Sequence, residues 1–300
     1  TKAEFVSAVA VRCTAPASDA GSVALEVSNN GLDFTKDSVQ FQYLASAAVS
    51  SLTPTSGPVS GGSVVTVHGF NFVDSDSLHC RFGGNGAAVS ARWISSSKVE
   101  CVAPAHTKGS VAVEVTMNNA DYTNNGVSFD FVDDALLASV TPTIGPSSGG
   151  TTLTLKGSGF AFSPNLRVRF GLHSVPATFV SSTEIRCVTQ ASDVGDASLS
   201  ITNNGVDYSS ASVKFTFRGD ARVSSVAPRG GFTSGGATVL VTGSGFTNAS
   251  SLACKFGSKA ATKAEFVSAV AVRCTAPASD AGSVALEVSN NGLDFTKDSV

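Results

Sequence analysis

The first 39 residues, TKAEFVSAVAVRCTAPASDAGSVALEVSNNGLDFTKDSV, return unchanged as residues 262–300. Self-similarity at a fixed period restricts a chain to architectures made by repeating one small unit. A shorter period lies inside the long one. SLTPTSGPVSGG at Ser51, SVTPTIGPSSGG at Ser139 and SVAPRGGFTSGG at Ser225 share one pattern, and their prolines Pro54, Pro142 and Pro228 are 88 and 86 residues apart. The remaining step of the 261-residue period is 87. Three diverged modules of this length therefore make up one larger repeat.

Each module reads as a series of short strands. Val65/Val67, Leu153/Leu155 and Val239/Val241 recur at period two, which places each pair on one face of a strand. Later segments alternate again at Val111/Val113/Val115, Ala197/Leu199/Ile201 and Val284/Leu286/Val288, then run into the turns MNNADY, NNGVDY and NNGLDF. Gly205 and Gly292 fit a turn position that needs positive φ, and Asn119 fills it in the first module as the next most tolerant residue type. The closing strands carry Phe129/Phe131, Phe215/Phe217 and Phe41/Tyr43. No stretch keeps a helical period over a useful length. Short alternating strands joined by Gly and Asn turns predict an all-β chain of immunoglobulin-like sandwiches.

The ordered set TPTSGPVSGG, G-x-x-F, C-x-F-G, C-x-A-P and N-N-G-x-D-Y/F resembles the IPT/TIG domain, and the resemblance covers the whole chain. It implies an Ig-like fold, one found in plexin and Met-type receptors, Rel-type transcription factors, some carbohydrate-active enzymes and very long microbial surface proteins. A fold of this kind does not fix a function. The middle module departs from the pattern, with Val168 and Gln190 in the places of Cys80 and Pro104. The expected organisation is the C-terminal part of a module over 1–46, whole modules over 47–134 and 135–220, and a module lacking its last strand over 221–300. The two copies of the 39-residue segment are expected to share one local fold.

Composition narrows the function. Charged residues are 14% of the chain, below the roughly 25% of ordinary soluble domains. Residues 1–261 carry 17 basic and 18 acidic side chains, so one repeat is almost neutral. Nucleic-acid binding needs a basic stripe, which is missing. No run approaches the 18 or more apolar residues of a membrane span. The four histidines, His68, His79, His106 and His173, recur at no equivalent place, and the glycines sit at turns rather than in a phosphate-cradling motif. No catalytic, cofactor-binding or metal-binding set is expected.

The cysteines are the most informative side chains. Cys80 with Cys101, and Cys254 with Cys274, take the same places in two modules, and each pair is expected to form a disulfide. A zinc site would need four closely spaced ligands, and His79 beside Cys80 has no counterpart in the other modules. Paired cysteines at matching sites imply an oxidising compartment. Cys187 has Val168 where a partner would stand, so it reads as a buried free thiol or, alternatively, an interchain disulfide. Asn248 opens the sequon Asn-Ala-Ser in a loop and is a candidate for N-glycosylation. Asp121, Asp207 and Asp294 are expected to hydrogen-bond their own turns. Asp74/Asp76 and Asp133/Asp134 are weak calcium candidates, and Arg218–Asp220 spells an RGD whose counterparts in the other modules differ.

Only VDDALLA separates Phe131 from Ser139, and RGDARVS plays the same part later. Connections this short favour modules strung in a semi-rigid rod. At roughly 40 Å per sandwich the 261-residue unit would advance on the order of 100–120 Å. Loop residues Ser18, Asp19 and Lys36 are repeated along with the strands, so identical units would present identical surfaces at a constant interval. The expectation is a window on a longer tandem array that serves as a structural subunit of an extracellular filament or cell-surface appendage. Its partners would be other copies of itself or a co-assembling filament protein, with glycans. The alternative is the stalk of a giant adhesin or receptor whose binding tip lies elsewhere.

Overall fold

The computed structural model describes residues 1–210 and 213–298. Every helix or strand among these residues is a strand, so no helix is long and apolar enough to cross a membrane. The chain falls into two compact units that exchange segments. Thr1–Thr53, Thr66–Cys101 and Ala112–Val127 form one; Pro54–Val65, Val102–Val111 and Ser128–Val300 form the other.

In the first unit, strand Ala48–Thr53 lies antiparallel to Val64–Phe70, with Leu52 opposite Val67. Lys98–Val102 pairs with Ala88–Ser95. His79–Phe82 sits between Ala88–Ser95 and Gly109–Thr116. The period-two pattern decides which side chains leave water: Val67, Cys80, Phe82, Val99, Val113 and Val115 are all buried. Near the N-terminus, Glu4–Ser7 pairs with Ala10–Arg12, and Gly21–Leu25 pairs with Val39–Tyr43.

The second unit contains the middle module as a complete two-layer sandwich. One sheet runs Leu136–Thr141, Thr152–Ser158, Glu184–Val188, Thr178–Ser181. The other runs Ile144–Pro146, Val213–Arg218, Gly195–Thr202, Arg167–Phe170, His173–Pro176. Leu153, Leu155 and Ile185 from the first sheet meet Val168, Leu199, Ile201 and Phe215 from the second in one core. Each such fully buried side chain stabilises the sandwich by roughly 1.5–3 kcal/mol relative to exposure. The last module repeats the plan with Arg222–Ala227, Thr238–Ser244, Ala271–Thr275 and Glu265–Ser268 facing Thr262–Lys263, Ala253–Phe256 and Leu286–Ser289.

One short strand matters for function. Ile144–Pro146 runs parallel to Val213–Arg218, and Ser56–Pro58 runs parallel to Ser128–Val132 in the same way. Its central residue has to be glycine. A Cβ on Gly145 would meet Thr151 Oγ1 at 2.5 Å and Phe215 Cζ at 2.8 Å, and one on Gly57 would strike the Ser63 hydroxyl. The strand thus lies directly over a Ser or Thr hydroxyl in both modules.

The two copies of the 39-residue segment differ in strand extent, contrary to expectation. Glu265–Ser268 and Ala271–Thr275 match Glu4–Ser7 and Ala10–Arg12. Further on, however, the first copy forms Gly21–Leu25 against Val39–Tyr43, whereas the second forms Leu286–Ser289 against Ala253–Phe256. Strand limits follow the partner that offers hydrogen bonds, and the two copies have different partners.

Candidate functional site

Disulfides join Cys80 to Cys101 and Cys254 to Cys274, with Cα atoms 6.3 and 6.0 Å apart. The second bridge ties a strand of one sheet to a strand of the other, and the first joins His79–Phe82 to Lys98–Val102, the two strands that flank Ala88–Ser95. Cys187 is buried in the middle module's core together with Val168, and burial pushes its thiol up to about 12. Cys13, by contrast, is an exposed free thiol. Asn248 is exposed in the loop between Thr238–Ser244 and Ala253–Phe256. Among the described residues no three His, Cys, Asp or Glu side chains converge as a metal cage would need. Asp133 is engaged by Lys108 Nζ at 2.6 Å. Asp134 accepts from the backbone and hydroxyl of Ser60, and Asp220 of the RGD accepts from Ser148 N in the same manner.

The Asn-Asn turn is the feature that recurs with its geometry intact. In the middle module Asn204 Oδ1 accepts from Val206 N and Asp207 N, at 3.1 and 2.9 Å, and its Nδ2 donates to Asp207 Oδ2 at 2.6 Å. The same three bonds form around Asn291 and Asp294, around Asn118 and Asp121, and around Asn30 and Asp33. The central position takes φ of 86° at Gly205, 76° at Gly292, 78° at Gly31 and 61° at Asn119. The preceding asparagine anchors the turn to its own module, since Asn203 Nδ2 donates to Gly159 O and Asn290 Nδ2 to Gly245 O, both at 2.8 Å.

A cation on the adjacent strand holds the aromatic residue that follows the turn. Arg81 lies 3.8 Å from the Tyr122 ring centroid and pairs with Glu114; Arg169 lies 4.0 Å from that of Tyr208. Lys255 and Phe295 are 5.5 Å apart in the last module, with Glu287 beside the lysine. A partly buried cation–π contact of this kind helps fix the base of the turn.

The turn also reaches out of its module. Asn204 Nδ2 donates to Ser56 O at 2.7 Å, and Ser63 Oγ donates to Asp207 Oδ2 at 2.5 Å. One module further on, Asn291 Nδ2 donates to Ile144 O at 3.0 Å and Thr151 Oγ1 to Asp294 Oδ2 at 2.6 Å. The receiving hydroxyls are the ones beneath Gly57 and Gly145. A single carboxylate oxygen therefore binds its own turn and the neighbouring module at once. A hydrogen bond to an ionised oxygen is worth roughly twice a neutral one. These are two joints of one design, made by the same atoms.

Expected from sequence was the self-bonding of the aspartates, which the turns show. The second role was missed. Its signal was present as the hydroxyl residues Ser63 and Thr151, aligned behind the same SGG tripeptide, but only folding brings them to a turn more than 140 positions away.

Asp207→Ala leaves the Ser63 hydroxyl and one Asn204 amide proton without their acceptor in a partly buried joint. We expect a loss of about 1–3 kcal/mol from the joint, hence an open population raised about 5- to 150-fold. Limited proteolysis of the 132–136 linker reads this directly. Unchanged cleavage with unchanged module melting would show that the contact carries no weight.

The IPT/TIG domain profile matches residues 47–131, 135–217 and 221–300. The chain is similar to mouse (Mus musculus) plexin-B2, 31% identical over 211 residues, which is 66% of this chain and 11% of that protein. It is also similar to human (Homo sapiens) fibrocystin-L, 26% identical over 242 residues, 80% of this chain and 5% of that protein. Among solved structures, the full extracellular region of plexin A4 aligns with a TM-score of 0.43 at 22% identity, covering 81% of this chain and 23% of that one. The chain thus spans a small share of the length of each of these relatives.

Proposed function

We propose, since this chain belongs to the IPT/TIG domain family and carries its modules in tandem, that it is a structural unit of an extracellular filament or cell-surface appendage, for example a flagellar hair. It works by holding modules at a set spacing and not by catalysis. The observation that carries this reading is the recurrent joint: Ser63 to Asp207 and Thr151 to Asp294, with Asn204 and Asn291 reaching the same backbone position. A chain whose only task is to display separate binding domains has no need to build the same hydrogen-bonded contact at successive modules.

Supporting features agree with an extracellular place. Two modules carry disulfides, as suits an oxidising compartment. Asn248 is accessible for a glycan. A near-neutral repeat lacks the repulsion that keeps surfaces apart, which suits partners that are further copies of this chain or a co-assembling protein.

A second reading, the stalk of a receptor or adhesin, is favoured by the similarity to plexin-B2. The two readings part in the native object. High-resolution imaging should show an axial period on the order of 100–120 Å, set by three modules, with lateral contacts at the same interval. Isolated single chains without that period would overturn the filament reading and leave the stalk.

A further inference from the structure

Asn204 and Asn291 are each followed by glycine, Gly205 and Gly292. Glycine has no Cβ, so its backbone nitrogen stands unhindered beside the side-chain amide of the residue before it. The pair can react without help. The glycine nitrogen gives up its proton to solvent base and attacks Cγ of the asparagine; a carbon–nitrogen bond forms, the bond to Nδ2 breaks, and ammonia leaves. Water then adds to either carbonyl of the cyclic imide, and the ring opens to aspartate or isoaspartate. No oxidant or reductant takes part.

Both asparagines lie where the joints hold them, at 7% and 6% exposure. At Asn204 each group that must move is bonded. Oδ1 accepts from Thr202 Oγ1, Val206 N and Asp207 N, and Gly205 N donates to Thr202 Oγ1 at 2.9 Å. The leaving nitrogen, Nδ2, donates across the joint to Ser56 O and within the turn to Asp207 Oδ2, which also takes the Ser63 hydroxyl. Closing the imide draws Cγ onto Gly205 N and has to break these bonds together. Asn291 Nδ2 is held likewise by Ile144 O and by Asp294, which takes the Thr151 hydroxyl.

We propose that Asn204 and Asn291 are deamidation sites gated by their joints: the closed joint protects the amide, an open joint converts it, and conversion keeps the joint open. The last step follows from the product. A carboxylate at 204 has no hydrogen to donate to Ser56 O, and it stands where Nδ2 lay 2.6 Å from Asp207 Oδ2, so two like charges meet. Isoaspartate also lengthens the backbone of a turn whose next residue takes φ of 86°. Each joint is thereby a one-way record of having come apart. The inference rests on the joints and not on the filament reading, since a stalk with the same joints would carry it equally.

The test is to hold the 300-residue chain in warm, mildly alkaline buffer and follow amide-to-acid conversion at each asparagine by peptide mass spectrometry. Conversion tracks the open population when opening and reclosing are fast. Ser63→Ala removes a bond made 144 positions from Asp207 and leaves the turn itself intact. It should raise the rate at Asn204 about fivefold or more and leave that at Asn291 unchanged. Thr151→Val should do the reverse. Adding Gly205→Asn to Ser63→Ala should return Asn204 to its original rate or below, because asparagine tolerates positive φ, as Asn119 does, and places a Cβ beside the attacking nitrogen. Asn204→Asp should speed cleavage of the 132–136 linker in freshly purified chain. Equal rates at Asn204 with and without the Ser63 hydroxyl, in modules that melt alike, overturn the gating. If Ser63→Ala lowers the melting of its own module, the rate at Asn291 in Thr151→Val decides instead. Unchanged linker cleavage in Asn204→Asp overturns the one-way step.

Discussion

Phe215→Ala is expected to destabilise the middle module by about 3–5 kcal/mol, the range for truncating a fully buried aromatic. Phe215 is wholly buried. Its ring stands edge-on to Phe217 at 4.9 Å and to Phe170 at 6.0 Å, and it lies beneath Gly145. Truncation removes apolar burial, two aromatic contacts and the floor under the Ile144–Pro146 strand. Domains of this size have only about 5–15 kcal/mol of stability in all, and each kcal/mol moves the melting point by roughly 4–8 °C. The middle module has no disulfide to restrain its unfolded state, so its melting transition should fall by at least about 12 °C while the other transitions stay in place. The joint to the last module should loosen with it, because Thr151 sits against the same strand. Calorimetry decides the matter, and a loss under about 1 kcal/mol would mean that the ring is not the keystone its burial indicates.

Reduction should act on the complementary modules. Cys80–Cys101 and Cys254–Cys274 close loops of 21 and 20 residues, for which the chain-entropy model gives roughly 3 kcal/mol each. A reductant should therefore lower the transitions of the modules starting at 47 and 221, leaving that of the middle module unmoved. Thiol chemistry identifies the unpaired cysteine of the middle module. In the native chain Cys187, with its thiol pushed up to about 12 by burial, stays unmodified by alkylating agents at pH 8 until the module unfolds. The sign of the pH effect follows. The folded state keeps the Cys187 proton to higher pH than the unfolded state, so the unfolded state binds fewer protons, and the middle module loses stability as pH rises from about 9 toward 12. Equal losses in all three modules on reduction, or rapid native labelling of Cys187, would contradict these assignments.

Much of the architecture was legible in the letters because it depends on local periodicity. Alternation at Leu153/Leu155 and Val239/Val241 marks strands whatever surrounds them, since a pleated backbone sends every second side chain to the same face. Cysteines at equivalent places in two modules point to bridges by repetition alone. The site was only half legible. An asparagine one residue before glycine and three before aspartate announces a self-bonded turn, because its partners are its own neighbours in sequence. That the same carboxylate also takes the Ser63 or Thr151 hydroxyl depends on how consecutive modules meet, and no local pattern records that.

The 39 residues present twice separate the two contributions most cleanly. By itself the sequence determined the hairpin Glu4–Ser7 with Ala10–Arg12 and its copy Glu265–Ser268 with Ala271–Thr275, and likewise the turns at Asn30 and Asn291. These elements rest on contacts within a few residues, so both copies make them. Burial and bonding were decided elsewhere. Val11 is 44% exposed and its copy Val272 is not exposed at all; Cys13 is a free surface thiol and its copy Cys274 is bridged in the core. The second copy lies against Thr238–Ser244, with Val241 opposite Val272 and Val239 opposite Cys274. Identical side chains leave water only where another segment of the chain supplies the facing surface, and that segment comes from tertiary structure.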